Sequence, residues 1–357
     1  MLRIGMLTSG GDCQALNAAM RGVSKTLFEA DDKVEIYGFQ NGYKGLVNTD
    51  YKLMSSADFS GVLSEGGTIL GTSRMPFKDI DKPMDDGRDK VTCMINTYKS
   101  LKLNCLVVLG GNGSHKTANL LREHGLNVVT LPKTIDNDLC GTDVSFGFWS
   151  AIDIATNSID CIHTTAASHS RVFIVELMGH KAGWLTLHAG IAGGADVILV
   201  PEIPYDIDSV CGAIQKRTDQ GKKFTIIAVA EGAISKEDAK LSKKELKKKR
   251  AEEQYPSAAY RISAEITKRT GQEVRVTVPG HVQRGGAPDA YDRFIATRLG
   301  AKAAELILNE EYGYMVCMRN NTIDKIPLEK VAGKTKMMDA NDDMIKQVKA
   351  LGICLGD

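Results

Sequence analysis

The sequence predicts an α/β protein with two doubly wound, largely parallel-sheet domains. Short apolar runs recur between helical patterns, and this alternation is typical of parallel sheets covered by helices. In addition, a chain of 357 residues is too long for one small core, so two domains are expected. The apolar runs are Arg3–Thr8, Val34–Phe39, Cys105–Gly110, Asn127–Leu131, Val172–Leu177, Val197–Pro201, Phe224–Glu231 and Val274–Val278.

The composition excludes several classes of protein. The formal net charge is +1, from 45 basic and 44 acidic residues, so no overall field favours nucleic acid or an anionic membrane. No apolar run approaches the length of about 18 residues that a membrane span requires, and the N-terminus lacks the apolar core of a signal peptide. We therefore expect a cytoplasmic protein. The eight cysteines form no CxxC pair and are expected to be reduced structural thiols.

Polar and glycine-rich turns follow the predicted strands. Parallel sheets bind ligands at the carboxyl ends of their strands, where the strand order reverses, so these turns are the expected site. The turns are GlyGlyAsp at 10–12, GlyGlyAsnGly at 110–113, ThrIleAspAsnAsp at 134–138, MetGlyHis at 178–180 and AlaGluGly at 230–232.

Two of these turns together predict phosphoryl transfer. The segment Gly110–Ser114 lies between an apolar strand and a helix, and its backbone N–H groups with the helix N-terminus are suited to hold phosphate. The next strand ends in Thr134–Asp138, where Asp136 offers a base and Asp138 a metal-binding carboxylate. This pairing predicts a kinase.

Basic groups at other strand ends predict a second phosphorylated ligand. They occur in Ser168–Arg171, Met178–Lys181 and Pro279–Gly286, with Arg275 beside the last. The loop Gly66–Arg74 adds glycines, hydroxyls and an arginine that suit oxyanions. By contrast, Gly333-Lys334-Thr335 is not a P-loop, because the required upstream glycine is replaced by Leu328. The Lys- and Glu-rich stretch Lys236–Glu253 is interpreted as a solvated helix face.

These motifs, taken together and in their order along the chain, resemble the 6-phosphofructokinase family from Arg3 to about Gly300. A composition break near Gly141 and the return of a helix-rich segment after Gly286 predict a domain of residues 1–140, completed by about 286–335, and a domain of residues 141–285. The resemblance implies that the first is the phosphoryl-donor domain and the second the sugar-phosphate domain. It implies transfer of phosphate from ATP to the 1-hydroxyl of fructose 6-phosphate, with Mg2+ as cofactor. It also implies a homo-oligomer, since in the family the counterparts of Arg171 and Arg275 reach into a neighbouring subunit's site.

The resemblance also implies roles for individual residues. Asp136 matches the base, Arg74 contacts the transferring phosphate, and Asn112 and Asp138 match the metal site. The full catalytic set is Asp136, Arg74, Thr134, Lys133 and His180. The donor set is Gly11, Tyr43, Arg74, Gly111, Asn112, Gly113 and Ser114. The sugar-phosphate set is Thr134, Asp136, Arg171, Met178, Gly179, His180, Glu231, Arg275, His281 and Arg284.

The sequence departs from the family pattern in ways that leave alternatives open. Asn112 stands where the family usually has Asp, His180 stands where it has Arg, and Gln14-Ala15 replaces a small-Pro-Gly run. In the family, glycine at the position of Gly113 goes with ATP, whereas lysine at that of Lys133 is typical of pyrophosphate users. We favour ATP. The alternatives are a pyrophosphate-dependent fructose 6-phosphate 1-phosphotransferase and a weakly active or non-catalytic regulatory member, and tagatose or sedoheptulose phosphates are not excluded as substrates.

Overall fold

The computed structural model describes residues 1–253 and 255–357. These residues divide into two compact units. Unit 1 comprises Met1–Ser150 and Arg284–Lys336, and unit 2 comprises Ala151–Gln283 and Met337–Asp357. The last 21 residues, 337–357, thus belong to unit 2, a segment that the sequence-based division did not assign.

The secondary structure alternates between strands and helices along the chain. The strands are β1 (Leu2–Ser9), β2 (Val34–Phe39), β3 (Tyr51–Met54), β4 (Cys105–Gly110), β5 (Val128–Pro132), β6 (Val172–Leu177), β7 (Val197–Leu199), β8 (Thr225–Ala230), β9 (Val274–Thr277), β10 (Tyr314–Arg319) and β11 (Thr322–Pro327). The α-helices are α1 (Leu16–Ala30), α2 (Tyr43–Asn48), α3 (Lys90–Ser100), α4 (Asn112–Glu123), α5 (Phe148–His169), α6 (Trp184–Ala192), α7 (Ile207–Asp219), α8 (Lys243–Glu253), α9 (Ala258–Thr270), α10 (Ala290–Leu308), α11 (Leu328–Val331) and α12 (Asp343–Ala350).

Unit 1 is built on a mixed sheet with the strand order β11-β10-β5-β4-β1-β2-β3. The central strands pair in parallel, whereas β3 and β11 add antiparallel edges. From β1 the chain moves to β2 on one side and then to β4 on the other, so the strand order reverses between β1 and β4. In such sheets this reversal is where ligands bind.

Unit 2 is built on a parallel sheet with the order β7-β8-β6-β9. Its strands β6 and β8 are buried along their whole length, as expected for a parallel sheet covered on both faces. Helices α7 and α9 pack together, and α9 also packs on β6. Because β6, β8 and β9 pair in parallel, their carboxyl ends lie along one edge of this sheet.

The predicted α/β fold is confirmed, and each of the eight apolar runs forms a strand within a few residues of its expected bounds. The sequence interpretation did not anticipate β3 and β11, which form the antiparallel edges of unit 1, or β10, which lies between β11 and β5. The Lys- and Glu-rich stretch forms α8 at its C-terminal end, and none of the helix's side chains is buried. Across the described residues, none of the helices combines the length and hydrophobicity needed to cross a bilayer.

A close helix crossing in unit 1 depends on two glycines. Helices α1 and α10 pack against each other, with Gly22 on one and Gly300 on the other. A Cβ atom added at Gly300 would lie 2.3 Å from the carbonyl oxygen of Ala19, and one added at Gly22 would lie 2.5 Å from that of Thr297. Because these obstacles are backbone atoms, any side chain larger than hydrogen would push the helices apart.

We expect Gly300→Ala to destabilise the protein although alanine is the better helix former. The gain in helix propensity is about 1 kcal/mol, while overpacking against fixed backbone costs about 1–3 kcal/mol and strains the whole α1–α10 contact. Gly212 in α7 is the matched control, since a Cβ there meets nothing within 4 Å. Thermal denaturation should show a lower midpoint for Gly300→Ala and an equal or higher one for Gly212→Ala; equal midpoints for both variants would contradict the packing argument.

Candidate active site

Two glycine-containing turns of unit 1 lie side by side because of the strand register. Strands β1 and β4 pair in parallel with Ser9 opposite Gly110, so the first turn, Gly10–Asp12, and the glycine turn, Gly110–Ser114, leave the sheet as neighbours. The loop Gly66–Arg74 contacts the first turn: Gly10 N–H donates to Ser73 O (3.1 Å), and Thr72 Oγ1 donates to Gly10 O (2.8 Å). Arg74 itself is exposed.

The glycine turn presents the N-terminus of α4, which begins at Asn112. The first backbone N–H groups of a helix have no partners within it, so they are available to an anion. A Cβ added at Gly113 would meet nothing within 4 Å, so the space beside this residue is open. Tyr43 was expected to contact the donor, but it is only 1% exposed and donates its hydroxyl to Ser114 O (2.8 Å), so it supports the turn from the core.

Two cations lie against the first turn. Lys133, at the end of β5, is 3% exposed and donates from Nζ to the carbonyl oxygen of Gly11. Burial lowers the pKa of this ammonium group. Arg284 donates from Nη1 to Asp12 O (2.7 Å), and its guanidinium is so close that a Cβ at Gly11 would lie 2.8 Å from it. The sequence interpretation grouped Arg284 with the sugar-phosphate residues; in the structure it belongs to unit 1 and contacts the first turn.

The carboxylate turn, Thr134–Asp138, is held in shape by side chains. Thr134 Oγ1 accepts a hydrogen bond from Asp136 N–H (3.0 Å). Asn137 has a left-handed backbone (φ 50°), and its Oδ1 accepts from Ser145 N–H (3.0 Å) while its Nδ2 donates to Asp143 O (3.2 Å). Asn is one of the few residues that tolerate this conformation. The turn therefore has a fixed conformation before any ligand binds.

Residues 333–336, at the C-terminal end of unit 1, contact both the carboxylate turn and the glycine turn. Lys336 Nζ donates to Asn137 Oδ1 (3.2 Å), Thr142 O (2.9 Å) and Asp143 O (3.0 Å), and Lys336 N–H donates to Asp138 O (2.7 Å). Burial lowers the pKa of Lys336 to about 8. At the other end of the segment, Asn112 Oδ1 accepts from Gly333 N–H (2.7 Å) and its Nδ2 donates to Lys334 O (3.1 Å).

The remaining predicted residues lie at strand ends of unit 2. Met178, Gly179 and His180 follow β6, and His180 has a left-handed backbone (φ 53°). Glu231, after β8, fixes this turn by accepting from His180 N–H through Oε1 (2.7 Å). Gln283 Oε1 accepts from Met178 N–H (3.3 Å), and this hydrogen bond connects the turn to the segment that contains His281.

Arg171 and Arg275 share one carboxylate in unit 2. Arg171 Nε donates to Glu273 Oε2 (2.6 Å), and Arg275 pairs with Glu273 Oε1. Their side chains are 29% and 56% exposed, and His281 is exposed as well. The two guanidinium groups are thus held near each other at the surface, as recognition of a phosphate group would require.

Among the described residues, no three Asp, Glu, His or Cys side chains are grouped as ready-made metal ligands. A magnesium ion usually binds through one or two carboxylates and the substrate's phosphates and keeps several waters. Asp136 and Asp138, on one turn, are carboxylates of the right chemistry. Both polar ends of the Asn112 amide are already engaged by the 333–334 backbone.

Comparisons with known proteins identify the family of this chain. The family model described as Phosphofructokinase matches residues 3–307. The chain belongs to this family. It is 52% identical over 356 residues to a protein of Spirochaeta thermophila named ATP-dependent 6-phosphofructokinase, covering 99% of this chain and 97% of that one. It is 42% identical to a protein of the same name from Propionibacterium freudenreichii, covering 100% of both chains.

Solved structures of the phosphofructokinase family agree with the fold. The T-state phosphofructokinase of Pichia pastoris is similar with a TM-score of 0.78 and 34% identity; the match covers 93% of this chain and 35% of the yeast chain. A pyrophosphate-dependent phosphofructokinase from Nitrosospira multiformis gives a TM-score of 0.82 at 21% identity, covering 99% and 92% of the two chains, which supports the fold alone.

Several residues of the site were missed by sequence reasoning. Lys336 and Glu273 act through contacts between distant parts of the chain, and no motif marks them or Ser145. The role of Asn137 was missed although it lies within the turn Thr134–Asp138. Gly333-Lys334-Thr335 was discarded as a P-loop, correctly, but its backbone has a structural role at Asn112. A weak signal for Asn137 existed, since Asn within a polar turn favours left-handed backbone.

We expect Asn137→Ala to destabilise the protein by about 2–4 kcal/mol, because buried donors on Ser145 and Lys336 would lose an acceptor and alanine disfavours a positive φ. The matched control is Asn321→Ala, at an exposed position with a similar backbone (φ 64°). It should show only the conformational cost of about 1 kcal/mol. Chemical denaturation measures both, and equal losses would mean that the hydrogen bonds of Asn137 contribute nothing.

Proposed function

We propose that this protein is an ATP-dependent 6-phosphofructokinase, which transfers the terminal phosphoryl group of ATP to the 1-hydroxyl of fructose 6-phosphate. The observation that carries the proposal is the register of β1 and β4, which sets an anion-binding helix N-terminus beside the first turn in a chain of this family. The names of relatives at 42% and 52% identity over nearly the full length support the same activity.

The donor would bind at the glycine turn. The N–H groups at the start of α4 and the cations Lys133 and Arg284 would face its phosphates, and Arg74 would neutralise charge on the phosphoryl group in transit. The open space at Gly113 leaves room for a nucleotide and favours ATP over pyrophosphate. Lys133 is already anchored to Gly11 O, so we assign it to positioning the phosphate rather than to excluding adenosine.

The acceptor would be activated by Asp136. Phosphoryl transfer depends mainly on in-line positioning and charge stabilisation, so the base has to orient the hydroxyl and accept its proton. The hydrogen bond from Asp136 N–H to Thr134 Oγ1 fixes the backbone from which this carboxylate projects. Because the turn is ordered in advance, little conformational entropy is lost when the substrate binds.

The sugar phosphate would be recognised by the strand-end residues of unit 2. Met178, Gly179 and His180 would line the sugar, with Glu231 holding the turn and contacting a hydroxyl. His281 would add a donor. We infer that Arg171 and Arg275, held on Glu273 at the surface, complete a phosphate site of a neighbouring subunit in a homo-oligomer.

Mg2+ is the metal that we propose, with Asp138 as the principal protein ligand; the amide of Asn112, the other residue that the resemblance assigned to the metal, is engaged by the 333–334 backbone. When bound, this cation would neutralise charge on the donor phosphates. Removal of divalent cations with a chelator should therefore abolish turnover.

We expect the purified protein to phosphorylate fructose 6-phosphate with ATP and magnesium, and pyrophosphate to be a poor donor. Asp136→Ala should lower kcat by about 100- to 10,000-fold, the usual contribution of a positioned base. A coupled assay run in parallel with both donors measures this. Turnover with pyrophosphate alone would transfer the assignment to a pyrophosphate-dependent phosphotransferase, and no turnover with either would favour a regulatory member or another sugar phosphate.

The role of Gly113 can be tested separately. An aspartate fits the helix N-terminus electrostatically and meets no neighbours, so Gly113→Asp should fold normally. Its charge would repel the donor phosphates, and kcat/KM for ATP should fall by about 100-fold or more. Gly113→Ala is the control for the added Cβ and should lose much less. Unchanged use of ATP by the aspartate variant would show that this position does not control access of the donor.

A further inference from the structure

We propose that residues 333–336, here called the strap, position the glycine turn and the carboxylate turn relative to each other, and that Asn112 and Lys336 are the positioning residues that fasten it. All of these residues belong to unit 1. The inference deepens the proposed function, on which it rests, because these two turns are the proposed donor and base sites.

The fastening at the glycine turn uses both ends of one amide. Asn112 Oδ1 accepts from Gly333 N–H at 2.7 Å, and Nδ2 donates to Lys334 O at 3.1 Å, with Thr335 Oγ1 at 3.4 Å. An aspartate at position 112 would keep the acceptor but lose both donors, and it would set a carboxylate oxygen against the Lys334 carbonyl. The arrangement therefore requires asparagine and gives a physical reason for this residue that metal binding does not.

The fastening at the carboxylate turn uses both the backbone and the side chain of Lys336. Its N–H donates to Asp138 O, and its Nζ donates to Asn137 Oδ1, Thr142 O and Asp143 O. Thr335 also forms an antiparallel bridge with Leu139, directly after the turn. One ammonium group thus joins the left-handed residue of the turn to the backbone of the loop that follows.

The strap itself has a defined conformation. Gly333 has a left-handed backbone (φ 85°), and a Cβ there would lie 2.7 Å from Lys116 Cε of α4. Lys334 N–H donates to Val331 O (3.0 Å), which links the strap to the end of α11. Since one end of this short segment contacts the start of α4 and the other contacts Asn137 and Asp138, a shift of the strap must alter the geometry of both turns.

The first test uses Asn112→Ala and Asn112→Asp in the full-length protein. Hydrogen exchange without any ligand should show amides 333–336 exchanging at least about tenfold faster in Asn112→Ala, because the Gly333 N–H loses its acceptor. For Asn112→Asp, we expect kcat to fall about tenfold, with KM for both substrates and the magnesium concentration for half-maximal rate unchanged within twofold. Unchanged exchange in Asn112→Ala would overturn the proposal. A lower magnesium concentration for half-maximal rate with undiminished kcat in Asn112→Asp would also overturn it and would make Asn112 a metal ligand.

The second test compares Lys336→Met with Lys334→Met, the same substitution at an exposed position of the same segment. We expect kcat to fall about 10- to 100-fold for Lys336→Met with little change in KM, and Lys334→Met to behave as the wild type. If a folded Lys336→Met protein keeps kcat within twofold, the proposal is wrong. Should the wild type fail to phosphorylate fructose 6-phosphate, the proposed function fails, whereas the exchange experiment still decides whether Asn112 fastens the strap.

Discussion

The parallel pairing of β1 with β4 is the constraint on which the site of unit 1 depends. Ser9 lies opposite Gly110, so the chain leaves both strands at the same level and at the point where the strand order reverses. The glycine turn can close only because its first residue has no side chain: a Cβ at Gly110 would lie 2.3 Å from Ser114 Cβ of the same turn. The anion-binding end of α4 is therefore a consequence of strand register and glycine placement, and it needs no basic side chain of its own.

The sheet determines where these turns lie, and buried polar side chains hold each turn in one conformation. Lys133 reaches Gly11 O from the end of β5, and Asn137 satisfies Ser145 N–H inside the carboxylate turn. Such groups are costly to bury unless paired, so each contact opposes rearrangement of its turn. In unit 2 a carboxylate that is not buried holds a turn as well: Glu231 accepts from the N–H of the left-handed His180. Pre-ordered turns suit phosphoryl transfer, in which positioning and electrostatics supply most of the rate enhancement.

Sequence reasoning succeeded where the signal is local. Eight strands follow from apolar runs bounded by turn residues, and the glycine and carboxylate turns follow from composition at strand ends. It missed β10 although Met315–Met318 is a buried apolar run of the same kind, and it failed for β11, whose residues are only partly buried, and for β3, a short and largely exposed edge. It also did not show that Tyr43 supports the glycine turn from the core, because whether a side chain faces a ligand or supports a turn depends on burial. The contacts of Lys336 with 137–143 join residues about 200 positions apart, which no local pattern records.

The two departures at Asn112 and His180 can be understood from the backbone rather than from the charge that each residue lacks. If each residue is judged only by the charge that it lacks, Asn112 weakens a metal site and His180 weakens a phosphate site. In the structure, however, the Asn112 amide satisfies a donor and an acceptor of residues 333–334, a pair that no carboxylate could satisfy at once. His180 occupies a left-handed position, where histidine is among the better-tolerated residues, and its N–H is bound by Glu231. Both residues are thus matched to the conformations of their turns, so their presence argues for an intact site rather than for a decayed one.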